Sequence, residues 1–169
     1  RPIDLPAIDI RPVEDTAELD RAIAGIDRYR WVVFTSVNGV EAFFKRLQEL
    51  RLDARILKNI KVVAIGPATA RALTEKGLIP DYTPEDYSTG AIVAGMQNGD
   101  IRGQRFLLPR ADIGDKALVE GLQKLGAEVN DVAVYHTVPA TEGVAEARKL
   151  LSSGKIDVIT FASSSTVTN

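Results

Sequence analysis

The 169 residues are 45% hydrophobic and 26% charged, a globular composition that excludes an intrinsically disordered chain. The net charge of −2, the lack of an apolar run of roughly 18 residues and the lack of a signal-peptide pattern predict a cytosolic protein without nucleic-acid or membrane partners. The chain contains no cysteine and one histidine, His136, which excludes disulfides, thiolate metal sites and cysteine nucleophiles and leaves little for histidine chemistry.

The chain opens with an extended apolar segment, Ile3 to Ile10. Pro6 cannot donate a backbone N–H to a central ladder, so this segment is predicted at a sheet edge or in a narrow two-stranded ribbon. A helix over residues 16 to 28 is predicted next, because Asp15 and Glu18 have the spacing of a capping box.

Short apolar runs then alternate with helical patterns up to residue 128, which is typical of βα units around a mainly parallel sheet. The predicted strands are Trp31 to Thr35, Lys61 to Ile65, a short one near Asp81 to Thr83, and Arg105 to Leu108. One predicted helix carries an apolar stripe made of Val40, Phe43, Phe44, Leu47 and Leu50. Pro67 and Gly77 bound a second helix, and a third, with Leu118, Leu122 and Leu125, ends before Gly126.

A second extended segment, Val129 to Val138, is predicted to pair with the first as a two-stranded linker. Strand alternation puts Tyr135 on one face with Ala133 and Thr137, and Val132 on the other with Val134, His136 and Val138. After Pro139 the pattern restarts with a helix carrying Val144, Ala147, Leu150 and Leu151, then Gly154, then a strand from Asp157 to Phe161.

This restart repeats an earlier part of the chain. Phe34 and Phe161 lie in similar strand–turn–helix patterns and are 127 residues apart, as are Val40 and Val167. We interpret the repeat as lobe duplication and expect a fragment, or the ordered part, of a longer two-lobed protein with its ligand in the cleft between the lobes. The expected organisation is a linker strand (1–12), a complete α/β lobe (13–128), a return strand (129–139) and the beginning of a second lobe (140–169).

Small and hydroxyl residues follow the predicted strands, at the edge where parallel α/β sheets bind ligands. They form four clusters: Thr35, Ser36, Asn38 and Gly39; Gly66, Pro67, Ala68 and Thr69; Pro109 and Arg110; and Ser163, Ser164, Ser165 and Thr166. Each suits an anion at a helix start. Each could also be only a helix cap, with Arg110 merely paired to Asp112 or Asp115. Their recurrence at equivalent places favours a binding edge.

The motifs of other site classes are missing, since neither a Rossmann nor a P-loop fingerprint occurs and no paired acids stand at the strand ends. Tyr135 is the remaining side chain with proton chemistry. In a hinge strand it would face a ligand between the lobes, or its hydroxyl would bind a backbone carbonyl. His136 is interpreted as a structural histidine.

The sequence resembles the uroporphyrinogen-III synthase family over essentially its whole length. The resemblance lies in W-V-V-F-T-S-V-N-G-V-E-A-F-F at 31–44, V-A-I-G-P-A-T-A at 63–70, F-L-L-P-R-A-D at 106–112, V-Y-H-T-V-P at 134–139 and D-V-I-T-F-A-S-S-S-T-V at 157–167. It implies two flavodoxin-like lobes, each a doubly wound, mainly parallel sheet, joined by a two-stranded β-ladder, with the second lobe truncated here.

The resemblance also implies a lyase that converts hydroxymethylbilane to uroporphyrinogen III in tetrapyrrole biosynthesis, as a monomer with no metal or other cofactor and no partner but its substrate. Tyr135 matches the tyrosine proposed to assist departure of the hydroxyl group. Thr35, Ser36, Thr69, Ser163 and Ser164 match residues that line the cleft, and Gly66 would let the backbone approach the ligand. Arg110 is the further substrate-binding candidate. The family's opening strand and helix of the other lobe and its closing part are not in this sequence, so the fragment alone is expected to be inactive.

Two other classes of function share parts of this pattern. A two-lobed binding protein that closes on a small anion without chemistry would share the duplication and hinge strands, although an exported binder would normally carry a signal segment. A receiver-like lobe would need clustered acids near the first strand end and a later lysine, and a flavin-binding lobe would be yellow.

Overall fold

The computed structural model describes residues 8–97, 99–140 and 143–160. Its strands are β1 (Ile8–Pro12), β2 (Trp31–Phe34), β3 (Lys61–Ala64), β4 (Arg105–Ala111) and β5 (Glu128–Pro139). Its helices are α1 (Ala17–Ala24), α2 (Val37–Glu49), α3 (Pro67–Glu75), α4 (Thr89–Met96), α5 (Lys116–Lys124) and α6 (Val144–Ser152), with 3-10 turns at Ile26–Arg28 and Ala54–Leu57.

The strands form one five-stranded sheet in the order β1-β5-β4-β2-β3. β2 pairs in parallel with both β3 and β4, and β4 pairs in parallel with β5. The predicted α/β class with a mainly parallel sheet is therefore confirmed. The segment near Asp81 to Thr83, predicted as a short strand, forms a single parallel bridge between Tyr82 and Val63.

The sheet is covered on both faces by apolar clusters. Phe34, Phe43 and Leu47 are fully buried on one face, where the stripe of α2 packs as the sequence predicts. Phe106, Leu118 and Leu122 are fully buried in the cluster that includes α4 and α5. The strand ends between these layers are thereby held in fixed positions.

The predicted helix stops are confirmed by backbone geometry. Gly77 and Gly126 have φ values of +83° and +89°, the left-handed conformation that glycine adopts without a Cβ clash. The start of α1 differs from the predicted capping box, since the cap position is Thr16. Asp15 Oδ1 instead accepts the Ala17 N–H at 2.8 Å, because its short side chain reaches the N–H two residues on.

Two further predictions of secondary structure were wrong or incomplete. Helix α4 went unpredicted because its sequence, T-G-A-I-V-A-G-M, has two glycines and no polar face to mark a helical period. The predicted strand from Asp157 is not formed over residues 157–160, and Phe161 lies outside the described residues. Val158 and Ile159 are exposed, since no strand in the described ranges pairs with this segment.

The chain divides into two compact units. Residues 12–136 form one unit, and residues 8–11 belong with the described part of 137–160 in the other. In the smaller unit the predicted helix is present as α6, with no residue fully buried, and Gly154 follows it with a φ of +65°. Among the described helices there is none with the length and apolar character to cross a bilayer.

Gly39, in the first turn of α2, allows that helix to approach β4 closely. A Cβ at this position would lie 2.7 Å from the Pro109 carbonyl oxygen, whereas a Cβ at Gly90 in α4 would have no neighbour closer than Ser88 Oγ at 3.9 Å. We expect Gly39→Ala to lower the free energy of unfolding by about 1–3 kcal/mol through overpacking. Gly90→Ala should raise it by up to about 1 kcal/mol by improving helix propensity. Urea unfolding of the two variants checks this, and equal stabilities would contradict it.

Candidate functional site

The carboxyl ends of the parallel strands bring most of the predicted site residues to one edge of the sheet. Thr35 and Ser36 follow β2, Gly66 follows β3, Arg110 lies near the end of β4, and Tyr135 lies in β5. All of them, with Thr69, belong to the compact unit 12–136. Ser163 and Ser164, the other predicted substrate-binding residues, lie outside the described residues.

Tyr135 and Ser36 form the central contact of this edge. The Tyr135 Oη lies 3.0 Å from Ser36 Oγ, and Ser36 Oγ accepts the Gly39 N–H at 3.0 Å as the N-cap of α2. Because one lone pair of Ser36 Oγ is occupied by that N–H, the hydroxyl keeps its own proton to donate to Tyr135 or accepts the tyrosine proton. The pair lies at the positive end of the α2 dipole, where negative charge is stabilised.

A β-bulge determines which way Tyr135 points. Arg110 pairs with Ala133, but the next residue, Ala111, pairs with Tyr135, so Val134 is an extra residue in β5. The alternation predicted from the sequence, with Tyr135 on the face opposite Val132, was therefore wrong. Tyr135 is only 7% exposed and belongs to the same core cluster as Val132. A bulge reverses the side-chain alternation beyond it, and here it directs Tyr135 to Ser36.

Arg110 is buried beside the bulge, with its side chain 3% exposed. Its Nε and Nη2 donate to the two carboxylate oxygens of Asp131 at 2.6 and 2.7 Å, and Nη1 donates to the Asp115 carbonyl at 2.7 Å. The sequence left open that Arg110 merely pairs with Asp112 or Asp115. The structure shows a different ion pair, because the carboxylate that Arg110 binds is that of Asp131. The role of Arg110 in substrate binding stays a prediction, and its contacts favour a structural one.

The second strand end is more enclosed than the sequence suggests. Gly66 is the N-cap of α3, and a Cβ there would lie 3.4 Å from the side chain of Tyr87. Thr69, in the first turn of α3, is buried, and Thr35 is half-buried. Tyr87 therefore covers the position at which Gly66 is predicted to admit a ligand.

Tyr87 is a residue that sequence reasoning missed. It is 58% exposed and has a φ of +45°, which is uncommon for a side chain of its size. Its only signal in the sequence is an aromatic residue in the polar loop before α4. Residues held in sparsely populated backbone conformations cluster at ligand sites.

His136 lies next to Tyr135, with its side chain 43% exposed. Its Nδ1 is 2.8 Å from Asp112 Oδ2, and the Asp112 backbone N–H donates to the Tyr135 carbonyl at 3.1 Å. Through Asp112, the turn after β4 thus contacts both Tyr135 and His136 in β5. Within residues 8–97, 99–140 and 143–160, no three acidic or histidine side chains are grouped so that they could hold a metal ion.

The turn after β4 also contains a carboxylate with a perturbed acidity. The Ala117 N–H at 2.9 Å, and after it the Thr89 hydroxyl at 2.8 Å, hold the pKa of Asp115 below its ordinary value. A lowered folded-state pKa stabilises the fold above the unfolded value of about 3.9, and this stabilisation is lost as the pH falls through the folded value.

We therefore expect Asp115→Asn, which keeps the cap geometry, to be less stable than wild type at neutral pH. The difference in unfolding free energy should shrink as the pH falls below about 4. Urea unfolding at a series of pH values measures it. A difference that stays constant down to the lowest pH would contradict the assignment.

Fold and site together define an α/β protein whose candidate site is built from helix N-termini and a strand tyrosine at the carboxyl edge of a parallel sheet. The sequence model of the family described as uroporphyrinogen-III synthase HemD matches residues 1–169. The chain therefore belongs to the uroporphyrinogen-III synthase family, as the resemblance implies.

Individual relatives agree with this membership. The chain is 33% identical, over 98% of its length, to the porphyrin biosynthesis protein HemD of Ruminiclostridium josui. It is 30% identical, over 99% of its length, to the uroporphyrinogen-III synthase of Synechococcus elongatus. It covers 33% of the first relative and 63% of the second, so it spans less than two thirds of either.

Solved structures show the same fold. A mutant uroporphyrinogen III synthase from Thermus thermophilus superposes with a TM-score of 0.73 at 22% identity, covering 96% of this chain and 64% of that one. The enzyme from Helicobacter pylori superposes with a TM-score of 0.54 at 19% identity, covering 86% and 60%.

Proposed function

We propose that the protein containing this chain is a lyase that cyclises hydroxymethylbilane, a linear tetrapyrrole, to uroporphyrinogen III with loss of water and inversion of ring D. Family membership supports the reaction. The observation that carries the proposal for this chain is the Tyr135–Ser36 hydroxyl pair at the N-terminus of α2.

In the proposed mechanism, Tyr135 assists departure of the hydroxymethyl oxygen as water. When the Ser36 O–H donates its hydrogen bond to Tyr135 Oη, the tyrosine O–H is free to point toward the leaving oxygen and to protonate it. Loss of water leaves an azafulvene cation. Attack through the substituted carbon of ring D gives a spiro intermediate, which fragments and recloses with ring D inverted.

Ring closure in this orientation requires a flexible polyanion to be held with its two ends together. The N-termini of α2 and α3 offer backbone N–H groups and positive dipole ends, which bind carboxylates without a metal or a strongly basic surface. Thr35, Ser36 and Thr69 are proposed to contact substrate carboxylates at these helix starts. We add Tyr87, whose exposed ring has the chemistry to stack on a pyrrole.

The architecture of the whole protein is also a proposal. The adjacency of β1 and β5 at the sheet edge supports a two-stranded ladder, and the 127-residue repeat supports a second lobe, with the boundaries expected from the sequence. Ser163 and Ser164 would stand at the equivalent edge of that second lobe. We further propose a cytosolic monomer that needs no cofactor, and sedimentation of the purified protein would measure its oligomeric state.

The test uses the full-length protein and hydroxymethylbilane supplied by an enzyme that makes it. Separation of the oxidised products gives the ratio of type III to type I uroporphyrin. We expect type III to dominate, because type I arises from spontaneous closure without inversion. Type I alone would overturn the synthase proposal, and binding of the tetrapyrrole without turnover would identify a binding protein instead.

A further inference from the structure

We propose that Arg110 and Asp131 are positioning residues that hold the bulge in β5 and thereby direct Tyr135 toward Ser36. This inference rests on the proposed function for its effect on turnover, although its effect on Tyr135 is independent of catalysis. We call the Arg110–Asp131 ion pair the bulge clamp.

The clamp holds β4 and β5 together on the N-terminal side of the bulge. Asp131 pairs in register with Leu108, and Arg110 pairs with Ala133, so the ion pair crosses the two strands diagonally just before the extra residue Val134, which is itself buried. Both carboxylate oxygens of Asp131 are bound, and a bidentate pair of this kind fixes orientation as well as distance.

The same guanidinium holds the C-terminal side through the turn after β4. Its Nη1 binds the Asp115 carbonyl, and that turn supplies the Asp112 N–H that binds the Tyr135 carbonyl. A Cβ on Gly114 would lie 2.6 Å from Arg110 Cζ, so the turn packs directly on the guanidinium. Contacts of Arg110 thus lie on both sides of the extra residue.

Burial distinguishes this role from direct binding of substrate. The Arg110 side chain is 3% exposed and each of its three nitrogens already donates a hydrogen bond, so a substrate carboxylate would have little access to the guanidinium. Asp131 is 40% exposed, but removing its charge leaves the buried Arg110 guanidinium without its carboxylate partner. Loss of Asp131 should therefore move the guanidinium, and with it the bulge.

The experiment compares Asp131→Asn with Asp20→Asn in the full-length protein. Asp20 is a matched control, because it also binds an arginine, Arg46, through two hydrogen bonds of 2.7 Å, but that pair links α1 to α2 and does not contact the bulge. The first readout is the ¹³Cζ resonance of Tyr135 in ligand-free protein, assigned with Tyr135→Phe. The second is kcat and KM for hydroxymethylbilane.

We expect Asp131→Asn to shift the Tyr135 resonance and to lower kcat about tenfold or more with KM nearly unchanged, because misplacement of a catalytic group affects the transition state. Asp20→Asn should change neither. If Asp131→Asn does not fold, Gly114→Ala, which displaces the guanidinium sterically, should give the same shift.

An unchanged Tyr135 resonance in the variant that folds, or an equal shift in Asp20→Asn, would overturn the clamp. A raised KM with kcat preserved would instead make Arg110 a direct substrate ligand. If wild-type protein yields only type I product while Asp131→Asn still shifts Tyr135, the proposed function fails and the clamp stands.

Discussion

Tyr135→Phe is expected to lower turnover of hydroxymethylbilane by about 100-fold or more, the usual contribution of a positioned proton donor. The ring remains in the core cluster, so only the hydroxyl and its hydrogen bond to Ser36 are lost. That bond should cost about 1 kcal/mol of stability. The fold is therefore expected to survive while catalysis fails.

The measurement is single-turnover formation of type III product by wild type and variant, with urea unfolding alongside. Ser36→Ala is the partner control, because it keeps the tyrosine hydroxyl but removes its neighbour and the α2 cap at about 1 kcal/mol. Turnover of Tyr135→Phe within twofold of wild type would return the tyrosine to a purely structural role.

Phe43→Ala should have the largest effect on stability. Phe43 is fully buried on α2 and makes edge-to-face contacts with Phe34 and Phe44 at centroid distances of 5.5 and 5.7 Å. Loss of a buried phenylalanine costs about 3–5 kcal/mol, a large part of the roughly 5–15 kcal/mol that holds a domain folded. α2 also carries Ser36, so the site should be lost with the helix.

Thermal and urea unfolding of the full-length protein measure this loss. Ile79→Ala is the control, because Ile79 is 84% exposed and its truncation should change stability by no more than about 0.5 kcal/mol. Equal effects of the two substitutions would contradict the described core.

The main elements of the fold are predictable because they depend on local periodicity. The apolar stripe on α2 and the apolar runs of β2 and β3 are visible in the sequence, and they indicate which residues are buried. Ser36 lies near the ends of β4 and β5 because the strands are parallel and stand in the order β5-β4-β2, of which only the parallel pairing is predictable from the sequence. Helix α4 has no such period, and its place beside α5 is set by tertiary packing of Ile92 and Met96.

The details of the candidate site depend on contacts that periodicity does not encode. A single extra residue, Val134, reverses the predicted alternation of β5, and no motif marks it. Asp131 as the partner of Arg110 is likewise set by strand register. The sequence from Asp157 has the local pattern of a strand, but no strand among the described residues pairs with it. Local propensity alone does not form a strand without a pairing partner.

The central claim is that the Tyr135 hydroxyl meets the substrate at the N-terminus of α2. Its most direct test is titration of full-length protein, labelled with ¹³Cζ-tyrosine, with uroporphyrinogen III under reducing conditions. The Tyr135 resonance is expected to shift on binding in wild type and to shift less in Ser36→Ala. Saturable binding that moves other tyrosine resonances and leaves that of Tyr135 unchanged would contradict the claim.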